Sequence, residues 1–448
     1  MKRLAGLLKA DAALLFLVLW LVYGATITKY DLYDFTLQHA VVEALVERGT
    51  FQVGGSANPL LRDAGDKFEF EGKWLPAKQP GQFVAGAVVY AACRLFGITY
   101  AQNYLLAASL VTWLSASLLS ALAGAFVFKL ASEIWGFRRP AALFSALCYG
   151  LATNSLPYSG IAHHDVIAIS YFILALYLIE RAIQARPGER DHLGLPAGLL
   201  LGLTLFTSML PAVVVVALIA YVMLTRRAAL ILRAFLGLLA GLLPLAVYNT
   251  HYFGNPLMQA NMAGDYSDTI VSVDPVRFLD HLNVYFGVGD VSVLKYMPIV
   301  MVGLAGVCLF PRRLQRQQVL LASAAALHLM YVLNIPAIGY CQYGPRFLLP
   351  MTAVAMMGLA PWIEWLSSRR VAPVLAWGTS ALAAYSFVVN LTGAIVGTMY
   401  CETRQFAFPV YLRMPLGPEM DTYPLALVCG TLLLFLGTLV LGRALLRR

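Results

Sequence analysis

Long apolar runs separated by short polar joints dominate this chain. They fall near residues 11–28, 102–131, 141–158, 165–183, 194–208, 210–224, 229–249, 296–310, 318–336, 347–366, 372–396 and 422–442. Most are long enough to cross a hydrocarbon core of ~30 Å as a helix, and together they predict twelve spans. Another run, Phe83 to Gly97, is short, carries Arg94 and follows Pro80-Gly81. It reads as an in-plane or re-entrant helix. The one long polar interruption is Lys29–Gln82. Within it Leu32, Phe35, His39, Val42 and Val46 recur at three- and four-residue spacing, with Thr36, Glu43 and Glu47 on another face. That periodicity predicts an amphipathic helix lying along the membrane surface. The expected fold is an all-α polytopic membrane protein of about 12 transmembrane helices, one domain over 1–448, with long outer loops at 29–100 and 250–295.

Composition agrees with this class. The chain is 60% hydrophobic and 12% charged, with mean hydropathy +0.72, outside the range of soluble domains. The first run is followed by acidic residues and no small-residue cleavage site, so it reads as a retained span. The net charge of +9 reflects topology and not nucleic-acid binding. The clusters Lys2/Arg3/Lys9, Arg138/Arg139, Arg181/Arg186/Arg190, Arg226/Arg227/Arg233, Arg312/Arg313/Arg316, Arg369/Arg370 and Arg443/Arg447/Arg448 all fall on one side if Phe83–Gly97 does not cross. With Lys129, that side holds 20 of the 32 Lys and Arg and 6 of the 23 Asp and Glu. The positive-inside rule then makes both termini cytoplasmic and the long loops extracytoplasmic. There is no GxxxxGK[ST], and no cytoplasmic loop is long enough for a nucleotide-binding domain, which argues against an ATP-driven motor.

Candidate chemistry gathers on the outer side. Asp31 and Asp34 start the amphipathic stretch, where a carboxylate serves either as a helix cap or as a general base or metal ligand. The turn after the third span carries Tyr158, His163, His164 and Asp165, which could bind a divalent ion or be interfacial polar residues with Asp165 as a cap. Arg346, in Gln342-Tyr-Gly-Pro-Arg346, suits a fixed anion such as phosphate or snorkels to headgroups, and Lys78 between Pro76 and Pro80 has the same two readings. Acids in the 250–295 loop, Asp265, Asp268, Asp274, Asp280 and Asp290, lie among aromatics and suit a sugar or are scattered surface charges. The six cysteines show no metal spacing, and a Cys341–Cys401 disulfide is left open.

Five stretches in this order resemble the GT-C superfamily of integral-membrane glycosyltransferases. They are Asp31-Leu-Tyr-Asp34; Trp74-Leu-Pro-Ala-Lys-Gln-Pro-Gly-Gln82; Thr153-Asn-Ser-Leu-Pro-Tyr-Ser159 leading to His164; Tyr248-Asn249 to Phe253-Gly-Asn-Pro-Leu257; and Tyr343-Gly-Pro-Arg-Phe-Leu-Leu-Pro350. The likeness is to the bacterial branch related to protein O-mannosyltransferases and lipid A aminoarabinose transferases. It implies an inverting transferase of the bacterial inner membrane that moves a sugar from a polyprenyl-phosphate donor to an extracytoplasmic lipid, polysaccharide or protein. It implies Asp31 as base with Asp34 as fallback, and Lys78 and Arg346 as donor-phosphate residues. Tyr158, His163, His164, Asp165, Tyr343 and Gln82 are the implied substrate contacts. His164, Asp165 and Asp31 are candidate ligands for a divalent cation that the sequence does not require. Aminoarabinose transferases carry Glu just before this Lys, whereas this chain has Ala77, which counts against a metal. The alternatives are a flippase or transporter of a lipid-linked substrate, and an outer-face polysaccharide polymerase or ligase.

Overall fold

A computed structural model describes residues 2–264, 275–339, 341–369, 372–401, 406–413 and 428–433. The expected run 422–442 lies largely outside these residues, as do Asp265, Asp268 and Asp274. The described chain is almost entirely helical. Among the described residues, five helices are long and apolar enough to cross a membrane: Tyr104–Ile134, His164–Gln184, Ala228–Phe253, Arg346–Leu366 and Pro373–Val396. Several other expected runs form shorter or broken helices. The run 141–158, for example, divides into Arg139–Leu151 and Ser155–Ser159.

Apolar helices in a membrane gain little from mutual burial, so close backbone approach holds them together. Gly198 and Gly202 on the Gly194–Thr207 helix meet Gly237 and Gly241 on the Ala228–Phe253 helix, and Gly194 meets Leu230 and Ala234. A Cβ on Gly198 would lie 1.9 Å from the Ala234 carbonyl oxygen. The first helix, Lys2–Ala25, is fastened to Tyr104–Ile134 by two indoles. Trp20 Nε1 donates to the Trp113 carbonyl at 3.0 Å and Trp113 Nε1 to the Trp20 carbonyl at 3.1 Å, with the rings stacked at 4.4 Å. Trp113 begins a π-helical turn, Trp113–Ser117, which turns its carbonyl out of the ordinary ladder.

The region 29–100 differs from a helix resting on a surface. Thr36–Arg48 is buried on every side from Thr36 to Ala44, and its polar residues Glu43 and His39 have partners inside the protein. Glu43 accepts from Ser56 Oγ at 2.6 Å and from Arg48 at 3.1 Å, and His39 Nδ1 pairs with the Tyr100 hydroxyl at 3.0 Å. The Gly81–Leu95 helix has 15 residues, a length of roughly 22 Å, short of a hydrocarbon core. Its Val84 and Val88 are exposed, as are Leu95 and the following Phe96. A β-hairpin that the helical expectation overlooked precedes it. Lys67–Phe70 pairs antiparallel with Lys73–Pro76, and Glu71 and Gly72 both take positive φ, as a two-residue turn of this hand requires. The hairpin delivers Lys78 to the cavity described next.

Candidate active site

Several segments far apart in the chain converge on a cavity of about 480 Å³. Asp34 and Gln38 come from the junction of Lys29–Asp34 with Thr36–Arg48. Asp66, Lys78 and Gln79 come from the hairpin, His164, Asp165 and Ser208 from the starts and ends of helices, and Gln342 and Arg346 from the segment before the Arg346–Leu366 helix. Of the residues singled out from sequence, Asp34, Lys78, His164, Asp165 and Arg346 line it. Asp31, Gln82, Tyr158, His163 and Tyr343 are buried behind its wall. Gln82 leaves both amide atoms without a hydrogen-bond partner.

The two N-terminal carboxylates have separate environments. Asp31 is 2% exposed and tied into the protein: Oδ1 accepts from the Thr398 amide and hydroxyl, both at 2.8 Å, and Oδ2 accepts from Thr28 Oγ1 at 3.0 Å. Burial pushes its carboxyl up to about 6, against the opposing pull of these hydrogen bonds. Asp34 is exposed to the cavity, and partial burial raises its carboxyl as well. Asp31 thus joins the first loop to the segment after residue 396, whereas Asp34, like Asp66 and Asp165, lines the cavity.

Two cations border the same cavity. Lys78 pairs with Asp66 at 3.2 Å, and Asp66 is exposed, held at φ +53. Arg346 is buried, with Nη1 3.0 Å from His163 Nε2, Nε 3.8 Å from Asp165 Oδ2, and the guanidinium over the Phe347 ring. The backbone before Arg346 is clamped from the segment 154–158. Asn154 Nδ2 donates to the Pro345 carbonyl at 3.0 Å and the Tyr158 hydroxyl to the Tyr343 carbonyl at 2.9 Å. Gly344 takes φ +70 against the Tyr296 ring, a conformation that a side chain would strain. Tyr158 and Tyr343 therefore hold Arg346 in place and do not line the cavity. Cys341 and Cys401 are disulfide-bonded, joining this segment to the one that carries Thr398.

Asp165 does not cap its helix. His163 does, with Nδ1 accepting from the Asp165 amide at 3.2 Å. Asp165 Oδ1 instead accepts from Ser208 Oγ at 2.8 Å and lies 3.4 Å from His164 Nε2, while Oδ2 is buried without a hydrogen bond. His163, His164 and Asp165 are close enough to share an ion, but the donor set does not suit one. Both nitrogens of His163 face donors, and the Arg346 guanidinium occupies the side where a cation would lie. Asp31, turned towards Thr398, is no ligand for the same ion. Asp280 is exposed, and neither it nor Asp290 lines the cavity. Sequence reasoning missed Gln38 and Ser208. Gln38 carried one signal, its place four residues after Asp34, whereas Ser208 carried none.

Residues 87–253 match the family model described as dolichyl-phosphate-mannose-protein mannosyltransferase. No curated protein sequence matches the chain. The crystal structure of ArnT from Cupriavidus metallidurans bound to undecaprenyl phosphate superposes with a TM-score of 0.52 at 15% identity, over 88% of this chain and 71% of that one. The archaeal oligosaccharyltransferase AglB from Archaeoglobus fulgidus, in complex with an inhibitory peptide and a dolichol-phosphate, gives 0.50 at 11% identity, over 88% of this chain. This chain spans 57% of that protein's length. The protein shares its fold with ArnT and AglB, and over residues 87–253 it resembles the protein mannosyltransferases, in line with the resemblance read from its motifs.

Proposed function

We propose that the protein is an inverting glycosyltransferase that moves a sugar from an undecaprenyl- or decaprenyl-phosphate donor to an extracytoplasmic acceptor. The observation that carries this reading is the cavity itself, where the exposed carboxylate of Asp34 shares a space with two cations, Lys78 and Arg346, whose own acidic partners are Asp66 and Asp165. The donor phosphate displaces exposed Asp66 from Lys78 and takes a second contact from Arg346. These cations stabilise the negative charge that develops on the departing phosphate. The acceptor hydroxyl oxygen bonds to the anomeric carbon as the bond from that carbon to the phosphate oxygen breaks. Its electron pair leaves on polyprenyl phosphate, and Asp34 takes the hydroxyl proton. One displacement inverts the centre, so a single carboxylate suffices, unlike the pair of most glycoside hydrolases. Asp31 is a positioning residue in this scheme and not the base.

Among the described residues Arg346 is the one arginine lining the cavity. A single phosphate-holding site fits a monophosphate donor better than the convergent arginines expected of a polymerase handling a pyrophosphate. The one-sided distribution of the basic clusters supports a reading in which this cavity faces the outer side of a bacterial inner membrane with both termini inside. Incubating the purified protein with a panel of polyprenyl-phosphate sugars and measuring released polyprenyl phosphate tests the reading. Turnover with at least one monophosphate donor is expected, and none with any would overturn it.

A further inference from the structure

At the far end of the His164–Gln184 helix lies a second cavity, of about 440 Å³. The helix has 21 residues, so roughly 30 Å separates this cavity from Asp165. It lies where the headgroups of the opposite leaflet would be. One wall is the π-helical turn Leu130–Ile134 and the other the helix end with the loop after it. Arg181, Arg186 and Arg190 all line it. Their side chains make no ion pair or hydrogen bond to any described residue.

These arginines are not needed to finish the helix. Arg227 already does so, donating to the carbonyls of Ala182 at 2.8 Å, Ile183 at 3.0 Å and Ala185 at 2.6 Å. Nor are they neutralised in place. Of the two acids that line the cavity, Glu133 is engaged by the Tyr177 hydroxyl at 3.3 Å and by Lys129 at 3.9 Å. That leaves Glu189 alone against three guanidiniums. Planar forks with free donors at headgroup depth match phosphate oxygens.

We propose that this cleft binds the headgroup phosphate of an anionic phospholipid in the leaflet opposite the candidate active site. The full-length protein in neutral detergent is titrated with short-chain phosphatidylglycerol, with phosphatidylcholine of the same chain length, and with glycerol phosphate, following its thermal melt. Phosphatidylglycerol is expected to raise the melting temperature at concentrations where the other two do not. In Arg181→Gln/Arg186→Gln/Arg190→Gln its apparent affinity should fall at least about tenfold, as the loss of charge-assisted hydrogen bonds implies. Arg226→Gln/Arg233→Gln/Arg312→Gln removes the same charge elsewhere and should change it less than about twofold, the scale of screened surface charge. Equal loss in the two triple variants overturns the site in favour of diffuse attraction. Glycerol phosphate acting as well as the lipid overturns the lipid source. Should the first variant not fold, equal response of the unaltered protein to the two lipids is itself decisive against the proposal.

Discussion

Replacing Asp34 with Asn and, separately, Asp31 with Asn separates a base from a strut. If Asp34 takes the acceptor proton, its amide cannot, and loss of a general base slows turnover by about 10²–10⁴-fold, or roughly 3–5 kcal/mol of barrier. Donor affinity should hold, because Lys78 and Arg346 are untouched. Asp31 is expected to behave otherwise. Its carboxyl titrates at about 6 against an ordinary 3.8, so carrying charge in the fold costs about 3 kcal/mol relative to water. The folded state binds more protons than the unfolded one between those two values. This contribution to stability is therefore fully present below pH 3.8 and lost as pH rises to 6. Asn keeps an oxygen for the Thr398 amide and hydroxyl and removes the charge. Asp31→Asn should thus melt no lower than the parent at pH 8, with up to ~3 kcal/mol gained. Its turnover should stay within about tenfold, the scale of one altered hydrogen bond. Release of polyprenyl phosphate gives the rates, and thermal melts of the detergent-solubilised protein give the stabilities. Full turnover in Asp34→Asn, or a folded Asp31→Asn as inactive as Asp34→Asn, refutes the division.

Lys78→Ala should raise the donor dissociation constant by about 10–100-fold while leaving the melt unchanged, since its partner Asp66 is exposed; unaltered donor binding removes Lys78 from the phosphate site. Arg346→Ala strands buried Asp165 and should cost about 3–5 kcal/mol of stability, so Arg346→Lys, which keeps the charge, is the variant whose donor titration is decisive. Reducing Cys341–Cys401 opens a link across 60 residues and should remove about 2–4 kcal/mol, read as a lower melting temperature; no shift would mean that the Tyr343–Thr398 backbone bond suffices. Because Asp34 must be ionised to act and partial burial raises its carboxyl, turnover should fall as pH drops through a value above 3.8, and an acid limb at or below that value excludes it as the base.

Periodicity and motif order made the helical class legible, and they singled out Lys78 and Arg346, which the fold brings to one cavity. They could not choose between Asp31 and Asp34. Three residues on a helix lie on nearly the same face, so any local pattern that suits one suits the other. What separates them is Thr398, 367 positions away in the chain, and contacts at that separation have no local signature. The same limit explains Tyr158 and Tyr343, whose motifs stood out although the Tyr158 hydroxyl holds the backbone next to Arg346 and the Tyr343 hydroxyl donates to the Val389 carbonyl. The hairpin is a different case. Lys67-Phe-Glu-Phe70 alternates, and Glu71-Gly72 can form its turn, so the signal was present but outweighed by the expectation of in-plane helices. The helix Thr36–Arg48 departs from expectation for a third reason. An amphipathic pattern predicts a wet face only where polar side chains lack protein partners, and Glu43 and His39 have Ser56, Arg48 and Tyr100. A polar face turned inward is what allows Thr36–Arg48 to carry Gln38 against the cavity wall beside Asp34. The buried polar contacts of the first loop therefore belong to the same construction as the site: they hold the segment that presents the proposed base.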